Sequence, residues 1–193
     1  MTRLLLKIFL LVIMFQSFDC YSQNRKTDSI EVSRISKSFF DWYISSAKNN
    51  KIDEYNPVEI KSENGMTTLD FTKYFKNLER LSFSDSLIAR ERESYNECIR
   101  KLSQIKYSDY IKLTDLDQFE KLNDDFTNYY RWTGGQEMYD FYSVRKVIID
   151  NNNAIVIGTL FLHYSGEKKG DSLTEITITF IKQNDEWKIN DIK

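Results

Sequence analysis

The sequence predicts an α+β fold, with N-terminal helices packed on a curved, cone-like antiparallel β-sheet. Two observations predict it. In the first half, apolar residues recur at steps of three and four, the spacing of one helix face. In the last third the pattern changes to runs of Val, Ile, Thr and aromatics separated by short Asn- and Gly-containing turns. Turns that short join neighbouring strands in the antiparallel sense, because a parallel connection needs a crossover of a dozen residues or more.

The elements follow in order. Asp28, with Glu31 three residues later, resembles a capping box that opens a helix running to about Lys48. Its stripe is Val32, Ile35, Phe39 and Trp42, widened by Phe40 and Tyr43. Asn56-Pro57 then breaks the chain, Val58 and Ile60 alternate with charges, and Asn64-Gly65 is a turn signal, which fits a short strand or hairpin. A second helix reads from Leu69 to Leu81, carrying Phe71, Tyr74, Phe75 and Leu78. Ser84 is placed to cap a third, whose stripe is Leu87, Glu91, Tyr95, Cys98, Leu102 and Ile105. Glu91 is the one charge on that stripe. Strands are expected over Asp140–Asp150, Ala154–Ser165, Leu173–Gln183 and Trp187–Ile192, as a four-stranded meander. Ile176, Ile178 and Phe180 point to one side and Glu175, Thr177 and Thr179 to the other, so one sheet face is expected under the helices.

The chain's first residues read as an export signal. Arg3 and Lys7 give a positive start, Ile8 to Phe15 is an unbroken apolar run, and Cys20-Tyr21-Ser22 supplies small residues three and one before a cut ahead of Gln23. A run of eight is far short of the about twenty residues that span a bilayer. Residues 1–22 are therefore expected to be a cleaved signal peptide, and 23–193 one α+β domain in the periplasm or secreted, without a membrane span. A lipid anchor at Cys20 fits less well, since Phe18 and Asp19 stand where a small apolar residue would. Loss of Arg3, Lys7 and Asp19 takes the formal charge from −2 to −3, which gives no electrostatic reason to expect nucleic acid.

Other chemistries are excluded by what is missing. After cleavage Cys98 is the single cysteine, so no intramolecular disulfide forms, and its place on the helical stripe marks it as a buried apolar side chain. With one histidine, His163, and no phosphate loop, zinc helix, Cys-x-x-Cys pair or nucleophile elbow, the chain calls for no cofactor and no metal. Asp115, Asp117, Glu120, Asp124 and Asp125 form an acidic cluster, but Glu120 stands where a calcium loop requires its turn glycine. That cluster reads as a solvated acidic segment.

The stretch from Phe119 to Tyr142 is rich in aromatics, with Gly134-Gly135 as a break. Such clusters are commonly core, yet Tyr and Trp beside a glycine pair also suit recognition. Tyr130, Arg131 and Trp132 are expected at the mouth of a cone, with Asp140 and Tyr142 nearer its wall, as ligand- or partner-binding residues.

Three segments carry a resemblance: Phe39-Phe40-Asp41-Trp42-Tyr43, Asp140-Phe141-Tyr142-Ser143-Val144, and the closing Glu186-Trp187-Lys188-Ile189-Asn190-Asp191-Ile192. With them the chain resembles the nuclear-transport-factor-like superfamily, the SnoaL-like or cystatin-like α+β cone, and within it an exported bacterial branch whose leaders often end as Tyr21-Ser22-Gln23 does. The resemblance implies the fold over residues 30 to 193 and dimerisation through an exposed sheet face. Enzymes of the superfamily set an Asp/His or Tyr/Asp pair inside the cone; no such pair is matched here, so no catalytic residue carries over. The function expected is that of a noncatalytic exported binding module, whose concave pocket or aromatic rim takes a small molecule, a glycan fragment or a protein. The alternatives are a periplasmic inhibitor or immunity-type protein, and a cone enzyme using carboxylate and tyrosine acid–base groups.

Overall fold

The opening helix, α1, spans Thr2–Lys48 without interruption, so Asp28 lies inside it rather than capping it. The structure, a computed structural model, describes residues 2–114, 116–121, 131–134, 138–163 and 171–193. After α1 come α2 (Ile52–Tyr55), β1 (Val58–Lys61), β2 (Thr67–Asp70), α3 (Thr72–Arg80), α4 (Asp85–Ser94), α5 (Asn96–Leu102), α6 (Tyr107–Tyr110), α7 (Leu116–Lys121), β3 (Phe141–Asp150), β4 (Asn153–Leu162), β5 (Asp171–Gln183) and β6 (Glu186–Ile192). The class is α+β: helices pack on an antiparallel sheet of order β3-β4-β5-β6, and β1 and β2 form a separate hairpin. No helix among the described residues is long and apolar enough to cross a membrane.

The capping-box expectation fails because Asp28 has a distant partner. Its Oδ1 accepts hydrogen bonds from Lys182 Nζ at 2.9 Å and from Trp187 Nε1 at 2.8 Å, which fastens α1 to β5 and β6. Burial works against the carboxylate, but the Lys182 and Trp187 hydrogen bonds and the Lys182 charge outweigh it and hold its pKa below the usual aspartate value. A depressed folded pKa contributes stability above the unfolded value, about 3.9, and that contribution fades as pH falls through the folded pKa. Asp28→Asn is therefore expected to cost about 1 kcal/mol at pH 7, and the gap to the parent should narrow below pH 4. Urea denaturation at pH 7 and pH 3 measures both; an equal gap at the two values would refute the ionic part of this anchor.

Two helical boundaries differ from the sequence pattern. Leu69 and Asp70 pair with Glu59 and Val58 in the β1–β2 hairpin, and the Asp70 carboxylate accepts the Thr72 N–H at 2.8 Å, so the helix begins at Thr72. The hairpin turn uses Gly65 at φ +82°, a conformation that suits glycine. The third helix breaks at Tyr95 into α4 and α5. There Ser94 Oγ donates back to Glu91 O at 2.7 Å, a contact that competes with the helical ladder. Ser84 caps α4 as expected, its Oγ accepting the Leu87 N–H at 3.1 Å.

The sheet is legible from its alternation. Ile176, Ile178 and Phe180 of β5 are buried against the helices with Ala154, Val156 and Leu160 of β4, while Thr177 and Thr179 are half-buried and Glu175 is exposed. The β5–β6 turn places Asn184 and Asp185 at φ 51° and 63°, the positive pair of a tight hairpin turn. The free edge of β6 is partly covered: Ser84 N–H donates to Ile189 O at 2.8 Å and Ile189 N–H to Ser82 O at 2.7 Å. On β3, the opposite edge, an irregularity between Val144 and Lys146 sets Arg145 and Lys146 in mid-strand, which blunts pairing with a foreign strand. Phe39 and Phe40 of α1, Leu78 of α3, Leu87 of α4 and Leu102 of α5 fill the layer between helices and sheet.

Candidate functional site

Glu91 has no exposed surface, and it owes that position to the stripe on which it sits between Leu87 and Tyr95. A buried carboxylate is costly unless its oxygens receive donors. Here both do. Tyr74 Oη donates to Oε1 at 2.8 Å and Arg131 Nε to Oε2 at 2.5 Å. Burial pushes the Tyr74 phenol well above its ordinary pKa, and the Glu91 charge pushes the same way. Tyr95 is raised likewise, by burial first and Glu91 second. Burial opposes the charge of Arg131, yet the Glu91 carboxylate beside it outweighs that and raises its pKa. Two phenols, a carboxylate and a guanidinium thus meet beneath the helical layer, and Arg131, 36% exposed, is where they reach solvent.

From Arg131 a run of rings leads to the sheet. Its guanidinium carbon is 5.2 Å from the Trp132 ring; Trp132 meets Phe39 edge-on at 5.9 Å and Phe83 at 5.2 Å. Phe39 packs on Phe40 at 4.9 Å, and Phe40 stacks on Tyr142 at 4.4 Å. Trp42 also lies against Phe39, at 6.0 Å. Within this run Trp42 Nε1, Trp132 Nε1 and Tyr142 Oη are buried and have no hydrogen-bond partner among the described residues, and the same holds for Tyr95 Oη beside Glu91. Burial pushes the Tyr142 phenol up to about 12; Ser36 alongside moderates the rise, although its own hydroxyl donates to Ser33 O at 3.0 Å. Buried donors without acceptors are rare in folded proteins, and each has a cost of about 1–3 kcal/mol.

Of the residues singled out in the sequence, Arg131, Trp132 and Tyr142 are joined by this run. Trp132 is buried in it and not presented at a mouth, and Tyr142, expected nearer the wall, is buried on the β3 side of the run. Tyr130 lies outside the described residues. Asp140 stands apart: its Oδ1 accepts Lys48 Nζ at 2.5 Å and its Oδ2 the His163 N–H at 2.6 Å. Lys48 and the His163 amide hold that carboxyl below the usual aspartate range. Asp140 and Lys48 line a groove of ≈ 370 Å3 with Asp41, Ile44, Ser45 and Phe141, and His163 Nδ1 is 3.5 Å from Asp140 Oδ2. An Asp/His contact is therefore present, at the surface and neutralised on one side by lysine.

Glu91, Tyr74 and Tyr95 were not singled out as site residues, though the sequence held the signal in a single charge interrupting an apolar stripe. Cys98 is buried as its stripe position required. Of the acidic cluster, Asp115, Asp124 and Asp125 lie outside the described residues, among which no group of three or more His, Cys, Asp or Glu side chains could hold a metal ion.

What these observations define is an α+β domain with an acid–phenol–guanidinium cluster at one end of an aromatic interior. No family model matches the chain, and no curated protein or solved structure matches it either.

Proposed function

We propose that the protein is an exported binding module of the cone class, which takes a small molecule into the aromatic interior between α1 and the sheet. The observation that carries this reading is the set of buried donors that find no acceptor among the described residues, Trp42 Nε1, Trp132 Nε1 and Tyr142 Oη, arranged about Phe39 and Phe40. Indole N–H groups only donate, so the complementary guest carries acceptor oxygens on an apolar frame. Pockets with apolar walls and a few convergent polar groups are the common form of a small-molecule site.

Native mass spectrometry of the protein recovered from its producing cell tests this directly, because a guest enclosed by buried aromatics dissociates slowly. The expected result is a bound small molecule that is lost, or weakened about tenfold, in Trp132→Phe and Tyr142→Phe, each of which removes about one hydrogen bond's worth of free energy. Retention at parental level in both variants would sink the reading.

A second reading, an acid–base enzyme, is favoured by the Tyr74, Glu91, Tyr95 and Arg131 cluster, since converging titratable groups are what proton transfer requires. It demands that Glu91 be reached by substrate. A turnover assay on the recovered small molecule, with Glu91→Gln as the variant, separates the two: binding that survives with no turnover in the parent supports the module.

A further inference from the structure

A second groove, distinct from the one beside Asp140 and independent of the reading given for the aromatic interior, lies between α3 and α4. It is an open surface groove of ≈ 660 Å3, lined by Leu69, Phe71, Phe75, Lys76, Glu79 and Arg92, with Asp70 and Thr72 completing its wall. Its floor is fixed. Phe71 and Phe75 stack at 5.1 Å and 19°, and Phe71 meets Tyr95 edge-on at 5.3 Å. The Arg92 guanidinium carbon sits 4.0 Å from the centre of the Phe75 ring.

Arg92 is thus placed by a ring rather than by a carboxylate. Contact with an aromatic face holds a guanidinium and partly strips its water, and leaves its N–H groups as donors. Neither Arg92 nor Lys76 has a side-chain hydrogen bond or ion pair among the described residues, in contrast to Lys73, which is paired with Asp53. Of the two carboxylates on the wall, Asp70 is engaged by the Thr72 N–H, and Glu79 lies one helical turn beyond Lys76. Two unpaired cations therefore border a fixed apolar floor, in a volume that suits a small organic ligand.

We propose that this groove binds an organic oxyanion with a flat apolar body, an aryl carboxylate, whose carboxylate bridges Arg92 and Lys76 while its ring lies on Phe71 and Leu69. A guanidinium fork matches a carboxylate in two parallel N–H···O bonds. The apolar floor favours an aryl acid over free phosphate, which has nothing to place there. Glu79 sets the limit on charge, since it repels a dianion more than a monoanion.

Phenylacetate titrated into the full chain and followed by ligand-detected NMR is the probe, with inorganic phosphate and phenethylamine as controls. Saturable binding is expected, weakened at least tenfold by Arg92→Gln and by Lys76→Gln. Arg92→Lys should weaken it as well, because it keeps the charge and loses the fork. Both side chains are exposed, so the variants should melt with the parent; if Arg92→Gln unfolds, Lys76→Gln carries the test alone. Absence of saturation by roughly ten millimolar, parental affinity in the variants, or equal binding of phosphate or phenethylamine would each overturn the assignment.

Discussion

Arg131→Met is expected to destabilise the protein by about 3 kcal/mol. Removing one partner of a buried ion pair leaves the other charge without compensation, at a typical cost of about 3–5 kcal/mol. Glu91 has no exposed surface, and after the change only Tyr74, among the described residues, would still donate to it. The low end of the range applies because the Arg131 side chain is 36% exposed, so water can follow where the guanidinium was. For a domain of this length the shift in melting temperature should be roughly 6–12 °C. The companion variant is Glu91→Leu with Arg131→Met. Replacing both charges by apolar groups of similar volume is often neutral or stabilising, so the double variant should be more stable than Arg131→Met alone. Calorimetry of the parent, the two single variants and the double variant gives the coupling directly. Additive losses would mean that the two side chains do not act as a pair.

That pair also marks the limit of what could be read from the sequence. A charge at Glu91 on an otherwise apolar stripe announces a buried acid, because a helical face turned to the core cannot expose one of its members. The identity of its partner was hidden, since Arg131 is forty residues away and belongs to a turn between helices and sheet. Local pattern carries local structure. The alternation of Ile176, Ile178 and Phe180 sets the buried face of β5 without reference to anything distant, and Asn184-Asp185 sets the turn that follows. Where tertiary contacts compete, pattern misleads. Asp28 and Glu31 have capping-box spacing, yet Asp28 reaches across to Lys182 and Trp187 while the helix runs on through it. The aromatics show the same boundary. Composition marks Trp132 and Tyr142 as candidates, but only packing against Phe39 decides that Trp132 is interior rather than at a mouth.

Gly158→Ala should be the most damaging small change in the sheet. Gly158 lies in β4 opposite Val144 and Ile176, in a strand whose buried positions are otherwise filled by Ala154, Val156 and Leu160. A Cβ added there would stand 2.2 Å from Tyr142 Cε2 and Oη and 2.3 Å from Cζ, well inside van der Waals contact. A flexible side-chain tip could turn aside, but Tyr142 is buried and its ring is stacked on Phe40 at 4.4 Å. The strand must therefore move or the stack must open. Overpacking of this kind costs about 1–3 kcal/mol and occasionally more. The cause is tested by a second substitution: Tyr142→Leu shortens the side chain that the new methyl meets, so Gly158→Ala should be less harmful in that background than in the parent. Tyr142→Leu alone has its own cost in lost ring contacts, and the informative quantity is the difference between the two Gly158→Ala penalties in urea unfolding. Equal penalties in both backgrounds would place the damage in the β4 backbone and dissolve the link between Gly158 and the aromatic interior. A smaller penalty in the Tyr142→Leu background would mean that the absence of a side chain at Gly158 is what lets the Tyr142 ring reach Phe40.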